Sequence, residues 1–120
     1  MVPSPQEMDA ILKMEKFLED SFMLALFKNS IKLGNIETIK AIGFSMLPLI
    51  QQNDMISVQR ANTYSVGDII VYEYKTQGLL VHRIIAIKEK ELWCRGDNAV
   101  RIEKIGYADI IGKVVAIHHN

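Results

Sequence analysis

From Ile36 to the C-terminus the chain is a succession of short stretches rich in Ile and Val, near residues 36–42, 55–60, 69–74, 79–87, 90–95 and 110–117. Asn, Gly or charged residues separate them, which is the signature of strands joined by tight connections. The expected architecture is therefore mainly β, a coiled, antiparallel, barrel-like sheet. Lys88-Glu89-Lys90-Glu91 and Thr76-Gln77-Gly78 read as turns between strands, and Gly67-Asp68 and Gly106 as places where strands begin or bend.

The first 33 residues follow a different rule. Ser4-Pro5-Gln6-Glu7 combines an N-cap hydroxyl, a proline at the first helical position and a glutamate at the third, a helix start. Apolar residues then recur at Met8, Ile11, Leu12, Leu18, Phe22, Ala25 and Leu26, while Lys13, Lys16, Glu19 and Asp20 are polar. Gly34 is the expected stop, with Asn29-Ser30 as an earlier alternative. The division is a helical segment over 1–34 and a β domain over 35–120. The apolar helix face is expected to pack on the sheet; self-association or membrane-surface contact through Phe22, Met23 and Phe27 is the alternative.

At 49% hydrophobic, 120 residues suffice for one domain with a modest core. Fourteen basic residues balance fourteen acidic ones without a basic block, so nothing points to nucleic acid as a partner. The single cysteine, Cys94, has no internal partner for a disulfide and sits beside Trp93 in a strand, a small core residue in a reducing compartment. His118 and His119 read as a solvated tail, and neither a metal nor another cofactor is expected. The longest uninterrupted apolar run, Phe22 to Phe27, is far short of the roughly 20 residues that span a bilayer. The N-terminus lacks the pattern of a secretory signal, so the expected location is the cytoplasm.

Three segments carry chemistry: Gly43-Phe44-Ser45-Met46-Leu47-Pro48, Val81-His82-Arg83-Ile84-Ile85 and Arg95-Gly96-Asp97-Asn98. They offer, in order, a hydroxyl nucleophile, an imidazole to take its proton and a carboxylate to orient the imidazole, which is the inventory for cleaving an amide. Ser45 lies on a constrained turn between a β stretch and a proline. The segment is not the G-x-S-x-G elbow, because position 47 is Leu. Alternation along the strand points Arg83 away from the face of His82, a structural position that suits pairing with a carboxylate.

These segments, together with Asn53-Asp54-Met55-Ile56-Ser57-Val58, Val66-Gly67-Asp68-Ile69-Ile70-Val71 and Ile111-Gly112-Lys113-Val114-Val115-Ala116, resemble in order the type I signal peptidases and their relatives, the self-cleaving repressors of the bacterial damage response. The likeness spans about Ile36 to Ile117, with Asn53 where the family usually has Gly. His82 followed by Arg83 is similar to the histidine branch of the family; most bacterial members carry lysine there. The resemblance implies a serine endopeptidase with Ser45 as nucleophile, His82 as general base and Asp97 as its orienting partner. Gly43, Met46 and Pro48 are the expected substrate contacts.

Histidine needs orientation but no desolvation to work as a base near neutrality, so activity is expected to rise through pH about 6 to 7 and then level off. Gly43 replaces the hydroxyl residue that helps bind the oxyanion in many signal peptidases, leaving that task to backbone amides, Ser45 N–H foremost, and implying a slow enzyme. Without a membrane anchor, the expected substrate is a peptide or protein precursor, such as a leader segment, cut after a small residue. The alternative is a module of the same fold that binds a peptide or partner without cutting. Self-cleavage is disfavoured because Ala10 and Ala25 lie in predicted helix.

Overall fold

The computed structural model describes residues 21–75 and 78–120. The capping box at 4–7, the first 20 residues of the predicted helix, and Thr76 and Gln77 of one predicted turn lie outside them. The described elements are α1 (Ser21–Lys32), β1 (Glu37–Lys40), β2 (Met55–Gln59), β3 (Ile69–Glu73), β4 (Leu79–Lys88), β5 (Glu91–Arg95), β6 (Glu103–Gly106), a single 3-10 turn (Tyr107–Asp109) and β7 (Ile110–His118). The seven strands form one sheet in the order β1-β2-β7-β3-β4-β5-β6. Every neighbouring pair is antiparallel, and the sheet curls into a half-barrel, as the Ile- and Val-rich pattern predicts. Strand β6 was not foreseen, because charged residues at 101, 103 and 104 hide its alternation.

Burial explains the curl. Adjacent residues of a strand face opposite sides, and β3 is buried on both. Ile69 and Val71 join Phe27, Ile31, Ile39, Met46, Ile50, Ile56 and Val58 in one core. Ile70 and Tyr72 join Ile84, Leu92, Cys94 and Ile105 in a second core on the other face. Each fully buried aliphatic side chain contributes roughly 1.5–3 kcal/mol, so the sheet is stabilised from both faces of its central strands.

Helix α1 continues through Asn29-Ser30 to Lys32 and is capped at Gly34. Asn35 N–H donates to the Ser30 carbonyl (3.1 Å) and Gly34 N–H to that of Ile31 (2.9 Å), while Gly34 takes φ +99°, a left-handed cap that suits glycine. The helix packs on the sheet through Leu24, Phe27 and Ile31, as expected, but the stripe that does so is not the predicted one. Ala25 and Leu26 face outward, and Phe22 is 69% exposed. Phe27, a candidate docking residue in the sequence, is a core residue at 4% exposure. No described helix is long and apolar enough to cross a membrane.

The C-terminus is exposed, as expected, but it is also hydrogen-bonded to the sheet and to Asp54. His118 Nε2 lies 3.0 Å from Ser57 Oγ. Buried Asp54 accepts hydrogen bonds from His119 Nδ1 (2.8 Å), Asn120 N–H (2.9 Å) and Gln51 N–H (2.8 Å). Burial pushes the Asp54 carboxyl up, but these donors hold it below its ordinary value. Asn53, before it, adopts φ 75°, a conformation that asparagine tolerates better than most residues and that explains how it stands in for glycine.

Candidate active site

His82 stands near the start of β4, opposite Ile70 of β3. Its neighbours on that face of the sheet come from three strands. Tyr72 lies on β3 two residues along from Ile70, Cys94 of β5 pairs with Ile84 of β4, and Glu103 of β6 pairs with Cys94. The second core therefore has a polar end, made of Tyr72, His82 and Glu103, all nearly inaccessible to solvent.

Glu103 Oε1 lies 2.6 Å from His82 Nδ1 and accepts from Tyr72 Oη at 2.8 Å, while Glu103 Oε2 accepts from Arg101 Nε at 2.8 Å. An ionised carboxylate only accepts, so the Nδ1 nitrogen must be the one that bears hydrogen. The Nε2 nitrogen is then left with its lone pair, 3.1 Å from Ser45 Oγ. Ser45 donates, His82 accepts, and Glu103 fixes the ring. Burial pushes the Glu103 carboxyl up, but hydrogen bonds from Arg101, Tyr72 and His82 hold it below the usual glutamate value. The Tyr72 phenol is driven far above its ordinary range by burial and by Glu103, which keeps it a donor.

This arrangement corrects one expectation. Asp97 does not orient His82. Both its oxygens are occupied by the Arg83 fork, Nε to Oδ1 and Nη2 to Oδ2, each at 2.9 Å. Alternation explains the difference, since Arg83 points away from the His82 face and takes Asp97 with it. The Arg83 hydrogen bonds hold the Asp97 carboxyl below its usual value. Arg83 Nη1 also donates to the Gly67 carbonyl at 2.7 Å, so the pair ties the 95–98 loop to the turn before β3.

The loop in turn grips the nucleophile segment. Asn98 N–H donates to the Ser45 carbonyl at 2.7 Å, and Asn98 Nδ2 donates to that of Phe44 at 3.1 Å. Asp97 N–H approaches Met46 Sδ at 3.4 Å. Gly96 makes this fit possible, because a Cβ there would lie 2.5 Å from the Ser45 carbonyl oxygen and 3.1 Å from His82 Cδ2. Gly43, at φ +94°, begins the turn and donates from its N–H to Gln52 Oε1 at 3.2 Å.

A model of the peptidase S24-like family matches residues 10–115. The chain belongs to the peptidase S24-like family. That family is of serine-peptidase type, in keeping with the fold and with the wider kinship that the sequence motifs imply. No curated protein matches the chain.

Two depressions meet at Ser45 in this S24-like chain. One, of about 130 Å³, is lined by Gly43, Ser45, Met46, Leu79 and His82 together with residues of β1. The other, broad and about 810 Å³, runs past Ser45 and His82 along Leu80, Val100 and Arg101 to Glu103. Of the expected substrate contacts, Gly43 borders the smaller depression. Met46 does too, but at 4% exposure it is chiefly a core residue. Pro48 is exposed and lines neither depression. No group of three or more metal-ligating side chains occurs among the described residues.

Tyr72, Arg101 and Glu103 escaped sequence reasoning. The available signal was the spacing of Glu103 and Ile105, which alternate onto one face with Lys104 between them, a few residues after the Gly96-Asp97-Asn98 turn. That signal is short and dominated by charge.

Proposed function

We propose that the chain is a serine endopeptidase in which Ser45 is the nucleophile, His82 the general base and Glu103 the residue that orients it. The observation that carries this reading is the unbroken path from Ser45 Oγ to His82 Nε2 (3.1 Å) and from His82 Nδ1 to Glu103 (2.6 Å). In the first step Ser45 Oγ attacks the peptide carbonyl while its proton passes to His82 Nε2, and Nδ1–H stays on Glu103. The imidazolium then gives its proton to the leaving amine, and an acyl-enzyme remains on Ser45. Water, deprotonated by the same nitrogen, releases the acid and restores Ser45. The Ser45 backbone N–H is the proposed oxyanion donor.

The substrate is an extended peptide from a precursor. Residues Leu79–His82 pair with β3 on one side, whereas pairing with β5 on the other begins only at Arg83. That open edge suits an added strand, with the scissile bond delivered to Ser45. The smaller depression, about 130 Å³ and bordered by Met46 and Leu79, suits a small side chain before the cut.

Mass-spectrometric profiling of a diverse peptide library by the wild-type chain beside Ser45→Ala and His82→Ala tests the proposal. Cuts after small residues with wild type alone are expected. Binding without any cut would make the chain a peptide-binding module, and cuts that survive Ser45→Ala would remove Ser45 as the nucleophile.

A further inference from the structure

Glu103 is an unusual companion for a base that must begin the reaction uncharged. Its carboxylate is 1% exposed and contacts two neutral donors, the Tyr72 hydroxyl and the His82 ring. A buried carboxylate with no cation beside it draws a proton onto the neighbouring imidazole, the more basic of the two groups. That outcome spoils the base, because a permanent imidazolium cannot accept the Ser45 proton.

Glu103 is also bonded to the Arg101 guanidinium, 2.8 Å from Oε2, while the ring is on Oε1. Arginine stays charged at every working pH. Resting on the catalytic reading above, we propose that Arg101 is a positioning residue acting through Glu103: its fixed charge balances the buried carboxylate, so that His82 rests neutral with Nε2 free to receive the Ser45 proton. Arg101 belongs to no predicted motif. It stands where the broad depression beside Ser45 is walled by Val100, Arg101 and Glu103, with its guanidinium 5.7 Å from the Tyr74 ring centre.

The other titratable groups around the ring cannot take this part. Tyr72 on β3 and Cys94 on β5 are both held protonated by burial. Asp97, on the loop after β5, is neutralised by Arg83. Arg95, at the end of β5, acts on Asp97, whereas Arg101, also exposed, is bonded to Glu103 itself. The charge state of the His82–Glu103 pair is thus governed from Arg101, at the rim of the substrate groove.

The test is a pH titration of the histidine ring signals by NMR in the full chain, comparing wild type with Arg101→Gln and Arg101→Lys; His118→Gln and His119→Gln variants assign the two tail rings. Removing the positive charge is expected to move the protonation midpoint of His82 up by about one pH unit, roughly tenfold in proton affinity. Arg101→Lys should restore most of the wild-type behaviour. A fluorophosphonate probe of Ser45 supplies the second readout, since the acid limb of its labelling should shift by the same amount in Arg101→Gln, with the plateau reached at higher pH. An unmoved midpoint in Arg101→Gln, or a lower plateau with no shift of the limb, would overturn the proposal and leave Arg101 a structural residue. The ring titration requires no turnover. A shifted midpoint in a chain that neither labels nor cleaves would sink the catalytic reading and leave the charge balance standing.

Discussion

The nucleophile and the base are held by two regions that work in opposite ways. The loop at 95–98 grips Ser45 from outside, largely by main-chain contact: an N–H from Asn98, a bare Cα at Gly96, and an anchoring ion pair to Arg83. Strand β6 holds His82 from inside, by side chains alone, with Glu103 buried under Tyr72 and tied to Arg101. The loop is a matter of fit, so it tolerates little change in shape, and its one carboxylate is already paired with Arg83. The strand is a matter of charge, so an isosteric replacement that alters only ionisation should be costly there and mild in the loop.

Three substitutions put that contrast at risk. Glu103→Gln keeps the shape and removes the charge, and should lower kcat by about 10³- to 10⁴-fold, the scale seen when a triad carboxylate becomes an amide. A loss under tenfold in steady-state peptide cleavage would dissolve the distinction. Gly96→Ala should cost about a hundredfold, because displacing Ser45 by as little as an ångström spoils attack; a crystal structure or amide chemical shifts at 44–46 would show whether the segment moves. Asp97→Asn, the same change as the first but in the loop, should cost no more than about tenfold, since the Arg83 anchor is partly exposed and weakly coupled to the ring. If Asp97→Asn proves worse than Glu103→Gln, the roles assigned to the two carboxylates are reversed.

The smallest effect is expected at Asp54→Asn, remote from both regions. Its folded-state carboxyl lies below the ordinary 3.8, so it stabilises the fold at pH above about 4 and loses that contribution as pH falls and the carboxylate is protonated. Urea unfolding should show wild type ahead of the variant near pH 6, with the gap closing as pH falls below the ordinary 3.8. Peptide cleavage by Asp54→Asn at 25 °C should match wild type.

Strands β1 to β5 and β7 were legible because each buries aliphatic side chains in a recognisable period. Ser45 and His82 were legible because a hydroxyl and an imidazole in fixed order have few other reasons to stand in such company. Asp97 misled for a physical reason: a carboxylate in a Gly-Asp-Asn turn close to Ser45 in space offers the right functional group, and only the facing of Arg83 reveals that it is already spent on a guanidinium. Glu103 went unread because burial of a charge is a property of its partners, and Tyr72 is 31 residues away in the chain. The helix stripe failed similarly: periodicity marks apolar positions, but the sheet accepts Leu24, Phe27 and Ile31 and leaves Phe22 and Leu26 outside.

Cys94 lies at 0% exposure between Ile84 and Glu103, its thiol pushed up to about 12 by burial and by the neighbouring carboxylate. A thiol in that setting is almost inert to alkylation until the strands around it part. As the sole sulfhydryl in the chain, it is a built-in clock: the rate at which iodoacetamide modifies the native protein times the opening of the half of the sheet that houses Glu103. Inhibition by such a reagent would therefore report breathing of the scaffold and not the identity of the nucleophile.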